Sequence, residues 1–242
     1  MTSFFAKVFT RYPIKTRRAL EIMPGFVSWT LILFPIWGSF FIPTVLAYFI
    51  LFFDVYWFYK SFSLAITAFI ASQRIKEAEK KDWLKLAKQL PDFEKVTHIV
   101  VIPNYKENVE KLRETFKSLV NQTFPTKRIY VVLAMEEREE SAKEKADILI
   151  KEFQHKFGNI IASFHPDLPG EVKGKSSNEA FAGQVAYKKL VGKKIIDLNF
   201  ATISSVDADS IFDKQYYSYL THSFITDEKR YNKFCKKIHQ SR

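Results

Sequence analysis

Residues 22–53 carry no charged side chain, a run of 32. Asp54 and Lys60 interrupt it, and 13 more uncharged residues then lead to Arg74. A helix needs roughly 20 apolar residues to cross about 30 Å of hydrocarbon. The stretch is therefore long enough for two crossings. It is also aromatic, with 16 Phe, Trp and Tyr residues between positions 26 and 69. It is too long for a signal-peptide core, and no small-residue cleavage pattern follows it. The pattern predicts a transmembrane helical hairpin over 25–72, with spans at 25–40 and 44–71 and a turn near 38–43. The first span is short for a full crossing, so a re-entrant helix also suits it. Asp54 and Lys60 fall inside the second span, where a charge is costly and often functional; the simpler expectation is that Lys60 snorkels.

The flanks set the orientation. Lys7, Arg11, Lys15, Arg17 and Arg18 precede the stretch, and Arg74, Lys76, Lys80, Lys81, Lys85 and Lys88 follow it. The turn has no Lys or Arg, so the positive-inside rule places both ends in the cytoplasm of a multi-pass inner or plasma membrane protein. Much of the net charge of +11 is juxtamembrane. Anionic lipid is therefore the expected partner rather than nucleic acid, for which no base-stacking motif is present. The single cysteine, Cys235, excludes an internal disulfide and a cysteine-based zinc site. The five histidines show no metal-ligand spacing. Four regions result: a basic N-terminus over 1–24, the hairpin over 25–72, a juxtamembrane amphipathic helix and linker over 73–97, and an α/β domain over 98–242. In the linker, 74–90 reads as a helix with Ile75, Ala78, Leu86 and Leu90 on one stripe. Trp83 suits either a membrane-surface anchor or an ordinary linker helix.

From residue 98 the pattern alternates. Short apolar runs at 98–102, 128–134, 159–164 and 199–206 read as strands. The segments 108–120, 137–157, 176–190 and 212–225 read as helices, and 165–175, with two prolines and two glycines, as a loop. This alternation predicts an α/β fold with a Rossmann-like, mainly parallel sheet and right-handed crossovers. In such sheets ligands bind beyond the carboxyl ends of the strands.

Polar groups cluster at those ends. After the first strand, Pro103 offers a rigid exit, Tyr105 an aromatic face and Glu107 a carboxylate for base or ribose; Glu107 or Asn108 also suits a helix cap. Glu136 ends the second strand, where the charges around it also favour a helix N-terminus. Lys173, Gly174 and Lys175 precede Asn178 at a helix start, an arrangement that suits a diphosphate as well as a solvated basic loop. After the fourth strand, Asp207 and Asp209 offer hard oxygen ligands at i and i+2 for a divalent cation shared with phosphate. Asp209 or Ser210 suits a helix cap instead.

Taken together these residues resemble family 2 glycosyltransferases, which have the GT-A fold. Val100-Val-Ile-Pro-Asn-Tyr-Lys-Glu107 is similar to the family's opening strand and nucleotide-binding turn. Lys173-Gly-Lys-Ser-Ser-Asn178 is similar to its segment near the diphosphate, and Ser205-Val-Asp-Ala-Asp209 to its DxD metal motif. The resemblance covers about 98–225 in order and spacing. It implies a nucleotide-diphosphate sugar donor, a UDP-sugar first among them, with Mg²⁺ or Mn²⁺ on Asp207 and Asp209. Pro103, Tyr105, Glu107 and Glu136 would line the base and ribose site, and Lys175, Asn178 and Asp207 would face the diphosphate. Met135-Glu-Glu137 departs from the aspartates the family often carries there. The family's later acidic motif and Gln-x-x-Arg-Trp motif do not follow. The expectation is therefore a partial GT-A domain, the donor-binding half, truncated after the DxD motif and inactive in transfer by itself. Two other readings are a nucleotide-binding, non-catalytic membrane module that regulates a partner, and a membrane scaffold that binds no ligand.

Overall fold

The computed structural model describes residues 13–171 and 174–232, which divide into two compact units between residues 80 and 81. Lys7, Arg11, Lys173 and Cys235 lie outside the described residues.

The first unit is helical: α1 (Pro13–Ile32), α2 (Phe34–Phe41) and α3 (Pro43–Glu79). Two prolines set its breaks. Pro35 removes a donor and crowds the preceding turn, so the chain bends by 61° between α1 and α2. Trp37 Nε1 donates to the Thr30 carbonyl across that bend at 3.2 Å. Ile42 leaves helical geometry, and Pro43 restarts the helix at its first turn. The turn predicted at 38–43 is thus confined to Ile42, and Gly38 lies within α2. Phe34 packs edge-on against Phe49 of α3 at 4.9 Å. A Cβ on Gly38 would meet the Phe34 ring at 2.8 Å, so glycine keeps that packing possible. α3 has 37 residues, about 55 Å at 1.5 Å each. Among the described residues it alone is long and apolar enough to cross a membrane, and α1 with α2 pass the same test as a bent pair. Most of the unit's large apolar side chains are exposed, Phe40 and Phe41 among the most.

The second unit is α/β. Its elements are α4 (Trp83–Lys88), β1 (Thr97–Asn104), α5 (Val109–Val120), β2 (Ile129–Glu136), α6 (Ala142–Phe153), β3 (Asn159–His165), α7 (Lys175–Ala186), β4 (Ala201–Ser205) and α8 (Tyr216–Thr226). The four strands form one sheet in the order β3-β2-β1-β4, parallel throughout. The β1–α5–β2 and β2–α6–β3 crossovers step the same way along the sheet, so right-handedness puts α5 and α6 on one face. The β3–α7–β4 crossover steps back over two strands, which puts α7 on the other. The strand period of two matches this division. Val100, Ile102, Val131 and Leu133 pack with Leu112, Phe116 and Leu149 under α5 and α6. Ile99, Val101, Val132 and Ala134 pack with Ala182 and Ala186 of α7.

Several boundaries differ from the sequence reading. The helix expected over 74–90 is two pieces: α3 runs on to Glu79, and Asp82 caps α4 by accepting from the Lys85 amide at 3.0 Å. Trp83 stacks edge-on against Tyr219 of α8 at 4.7 Å, which makes it a contact inside the α/β unit. α8 begins at Tyr216 instead of 212, because the Asp213 and Lys214 carbonyls are taken by Gln122 at 2.6 Å and the Thr123 amide at 2.8 Å. Gly158 joins α6 to β3 where a Cβ would lie 2.5 Å from the Lys127 carbonyl.

His98 is wholly buried at the start of β1. Thr221 gives its one hydroxyl proton to the Tyr217 carbonyl, so it accepts from Nε2–H of His98 at 2.8 Å. Nδ1 then accepts from Thr202 at 2.6 Å. Burial, helped by the Arg128 charge, lowers the His98 pKa to about 3, and the ring stays neutral.

Candidate functional site

β1 sits at the centre of the sheet, its α5 crossover leading one way and β4 lying on the other side. The strand order therefore reverses between β1 and β4, the position at which open α/β sheets place a ligand crevice. Pro103 marks the end of the pairing on the β1 side. β1 and β4 pair as far as Val101 and Ser205, and the Val206 amide still donates to the Val101 carbonyl at 3.0 Å. The next residue of β1 to face β4 is Pro103, which has no N–H to give. The two strand ends part there.

On the β1 side the chain enters a tight loop. Lys106 has φ 63°, the left-handed region that non-glycine residues seldom occupy. Glu139, from the β2–α6 loop, holds it there. Its Oε2 accepts from the Lys106 amide at 3.0 Å and from Asn104 Nδ2 at 3.2 Å. Its Oε1 accepts from Ser141 at 3.1 Å and from Lys145, whose Nζ also donates to the Glu107 carbonyl at 2.6 Å. Burial works against the Glu139 charge, but Lys145, the Lys106 amide and Ser141 outweigh it, and the carboxyl titrates below its usual range. The same contacts keep 137–141 out of the helix that was expected to start at 137. Glu139 and Lys145 are positioning residues that the sequence reading missed, because Glu139 is one of four glutamates in five positions, and nothing local marks it as the buried one.

The loop presents Tyr105, 37% exposed. The Arg138 guanidinium lies over its ring, 4.0 Å from the centroid, and also pairs with Glu136. Glu136 ends β2, as the sequence reading expects, and is buried, lining a small cleft with Arg138, His165, Leu168 and Glu171. Glu107 is half-buried and pairs with Lys111 at 2.9 Å. The cap of α5 is Asn108, which accepts from the Glu110 amide at 3.1 Å. Glu107 holds the Lys111 ammonium above the usual lysine range, and Asp209 adds to this from across the crevice.

On the β4 side Val206, Ala208 and Ser210 point inward while Asp207 and Asp209 point out. The Ala208 carbonyl accepts from Thr115 of α5 at 2.7 Å, and the Ser210 amide closes the turn onto the Asp207 carbonyl at 3.0 Å. The two aspartates are therefore presented by a fixed turn. Neither Asp209 nor Ser210 is the N-cap of α8, which is Gln215. Lys175, the first residue of α7, contacts Asp207 and lies 3.6 Å from Glu179. The Asp207 hydrogen bond holds its ammonium above the usual lysine range. Asn178 is buried, and its Nδ2 donates to the Ala134 carbonyl at 2.7 Å, so it fastens α7 to the end of β2.

The structure thus brings Pro103, Tyr105, Glu107, Lys175, Asp207 and Asp209 to the carboxyl end of the sheet. Glu136 lies in the adjoining cleft and Asn178 beneath α7. The donor set at Asp207 and Asp209 is hard oxygen, which fits Mg²⁺ or Mn²⁺. Among the described residues no group of three His, Cys, Asp or Glu is placed to hold a metal. A cation there would complete its shell with water and ligand phosphate.

The chain matches no protein-family model, and no curated protein is significantly similar to it.

Proposed function

We propose that the α/β unit is a nucleotide-sugar donor site of the family 2 glycosyltransferase kind, on a GT-A-like domain anchored to a membrane. The observation that carries this is the placement of both strand-end loops, Pro103 to Glu107 and Asp207 to Asp209, on the two sides of the crevice where the strand order reverses. Tyr105 offers a face for a base, with Pro103, Glu107 and Glu136 around base and ribose. Lys175 and the first amides of α7 face a diphosphate, the anion a helix N-terminus favours. Asp207 and Asp209 hold the divalent ion, which supplies charge neutralisation for a departing nucleoside diphosphate. In the first unit, α3 crosses the membrane and the bent α1–α2 pair forms the other arm of the hairpin. The basic flanks support a cytoplasmic position for the α/β unit.

Calorimetric titration of the detergent-solubilised chain with UDP and Mn²⁺ tests the site. The expected result is UDP binding that requires Mn²⁺, is lost in Asp207→Ala and Asp209→Ala, and weakens about tenfold in Tyr105→Ala, the loss of one stacked base. UDP binding that ignores both Mn²⁺ and the aspartates would instead favour the non-catalytic nucleotide-binding module. No UDP binding at all would refute the donor site.

A further inference from the structure

Lys175 occupies an unusual position for a group meant to meet phosphate. Its ammonium contacts the Asp207 carboxylate and sits 3.6 Å from Glu179, one turn along the same helix. Glu179 is itself fixed, since its Oε1 accepts from Ser205 at 2.6 Å, so the second carboxylate is tied to the end of β4. The lysine thus bridges α7 and the strand end that carries the aspartates. A divalent ion arriving at Asp207 meets a cation already in place, and two like charges cannot share one carboxylate at contact distance without strong repulsion. The Lys175 side chain is 52% exposed and long, so it can swing away without disturbing the core. It then keeps only Glu179, whose Oε1 is already engaged by Ser205, and a diphosphate at the N-terminus of α7 offers it a second anionic partner.

We propose that Lys175 is an exchangeable counter-ion that makes metal binding at Asp207 conditional on a diphosphate. This rests on the donor-site reading and adds an order to it. Metal alone must break the Lys175–Asp207 pair and leaves the ammonium with Glu179 alone. Metal with a nucleoside diphosphate gives the displaced ammonium a partner, so each ligand strengthens the other, as linkage requires.

The test is Mn²⁺ binding to the full chain in detergent, read by the electron paramagnetic resonance signal of unbound Mn²⁺, with and without UDP. The wild type is expected to bind Mn²⁺ weakly alone and about tenfold more tightly with UDP, within the range usual for coupled sites. Lys175→Met should tighten Mn²⁺ binding without UDP and shrink the UDP enhancement. Lys175→Arg, which keeps the charge, should behave as the wild type and controls for folding. Equal Mn²⁺ affinity of wild type and Lys175→Met without UDP, with UDP enhancing both alike, overturns the exchange and leaves the donor site standing. A wild type that binds neither Mn²⁺ nor UDP overturns both.

Discussion

At the scale of single residues, buried polar groups do more than the exposed motif residues to define the α/β unit. His98 is neutral in the fold and takes a proton once unfolded. The folded pKa is lowered, so its contribution is full above the unfolded value near 6.5 and is lost as pH falls toward 3. The full loss amounts to about 5 kcal/mol. Urea unfolding between pH 7 and 4 should therefore show a falling midpoint, and His98→Gln should flatten that slope although it costs stability at pH 7. Glu139 is the second case. Glu139→Gln removes the ion pair with Lys145 and weakens the hold on the Lys106 amide. It should cost about 2–3 kcal/mol and loosen the loop that carries Tyr105. Hydrogen exchange at residues 104–107 measures the second effect separately from global unfolding.

At the scale of elements, the strand ends matter more than the strands. β1, β2 and β3 are ordinary buried parallel strands, and their apolar runs made them legible. Glu136 ends β2, and Pro103 is the rigid exit its residue type implies. What the apolar pattern could not show is which side of β1 Pro103 faces, since that depends on where β4 lies. Because it faces β4, its missing donor ends the pairing. Pro103→Ala restores a donor beside the Val206 carbonyl. The expected outcome is unchanged or slightly higher thermal stability with weaker UDP binding, from a melting curve and a titration on the same sample. Helix starts were the least legible boundaries. α6 and α8 both begin later than expected, because Glu139 is engaged elsewhere and the Asp213 and Lys214 carbonyls are claimed by the α5–β2 loop. Such contacts join positions up to 91 residues apart, beyond any local pattern.

At the scale of the whole molecule, two units with opposite surface logic share one chain. The α/β unit buries most of β1 and β2 between helices and leaves β4 partly exposed at the sheet edge. The helical unit exposes most of its large apolar residues, a surface that water does not favour at that extent. The proposed anchor makes a direct prediction: alkaline carbonate washing should leave the chain in the membrane fraction, and detergent should release it. Release by carbonate alone would remove the hairpin from the proposal.

Composition and periodicity alone determined that a long uncharged aromatic segment precedes an alternating α/β region, and that acidic and basic groups punctuate the strand ends. Those features are local, and a period of two or 3.6 residues, a proline or a charge-free run reports them directly. Only the tertiary structure decided that β4 returns to lie beside β1, that α7 crosses the opposite face, and that Lys175 meets Asp207 across 32 positions. The order of parallel strands follows from covering both faces of a sheet with right-handed crossovers, a condition on the whole chain that no single segment carries.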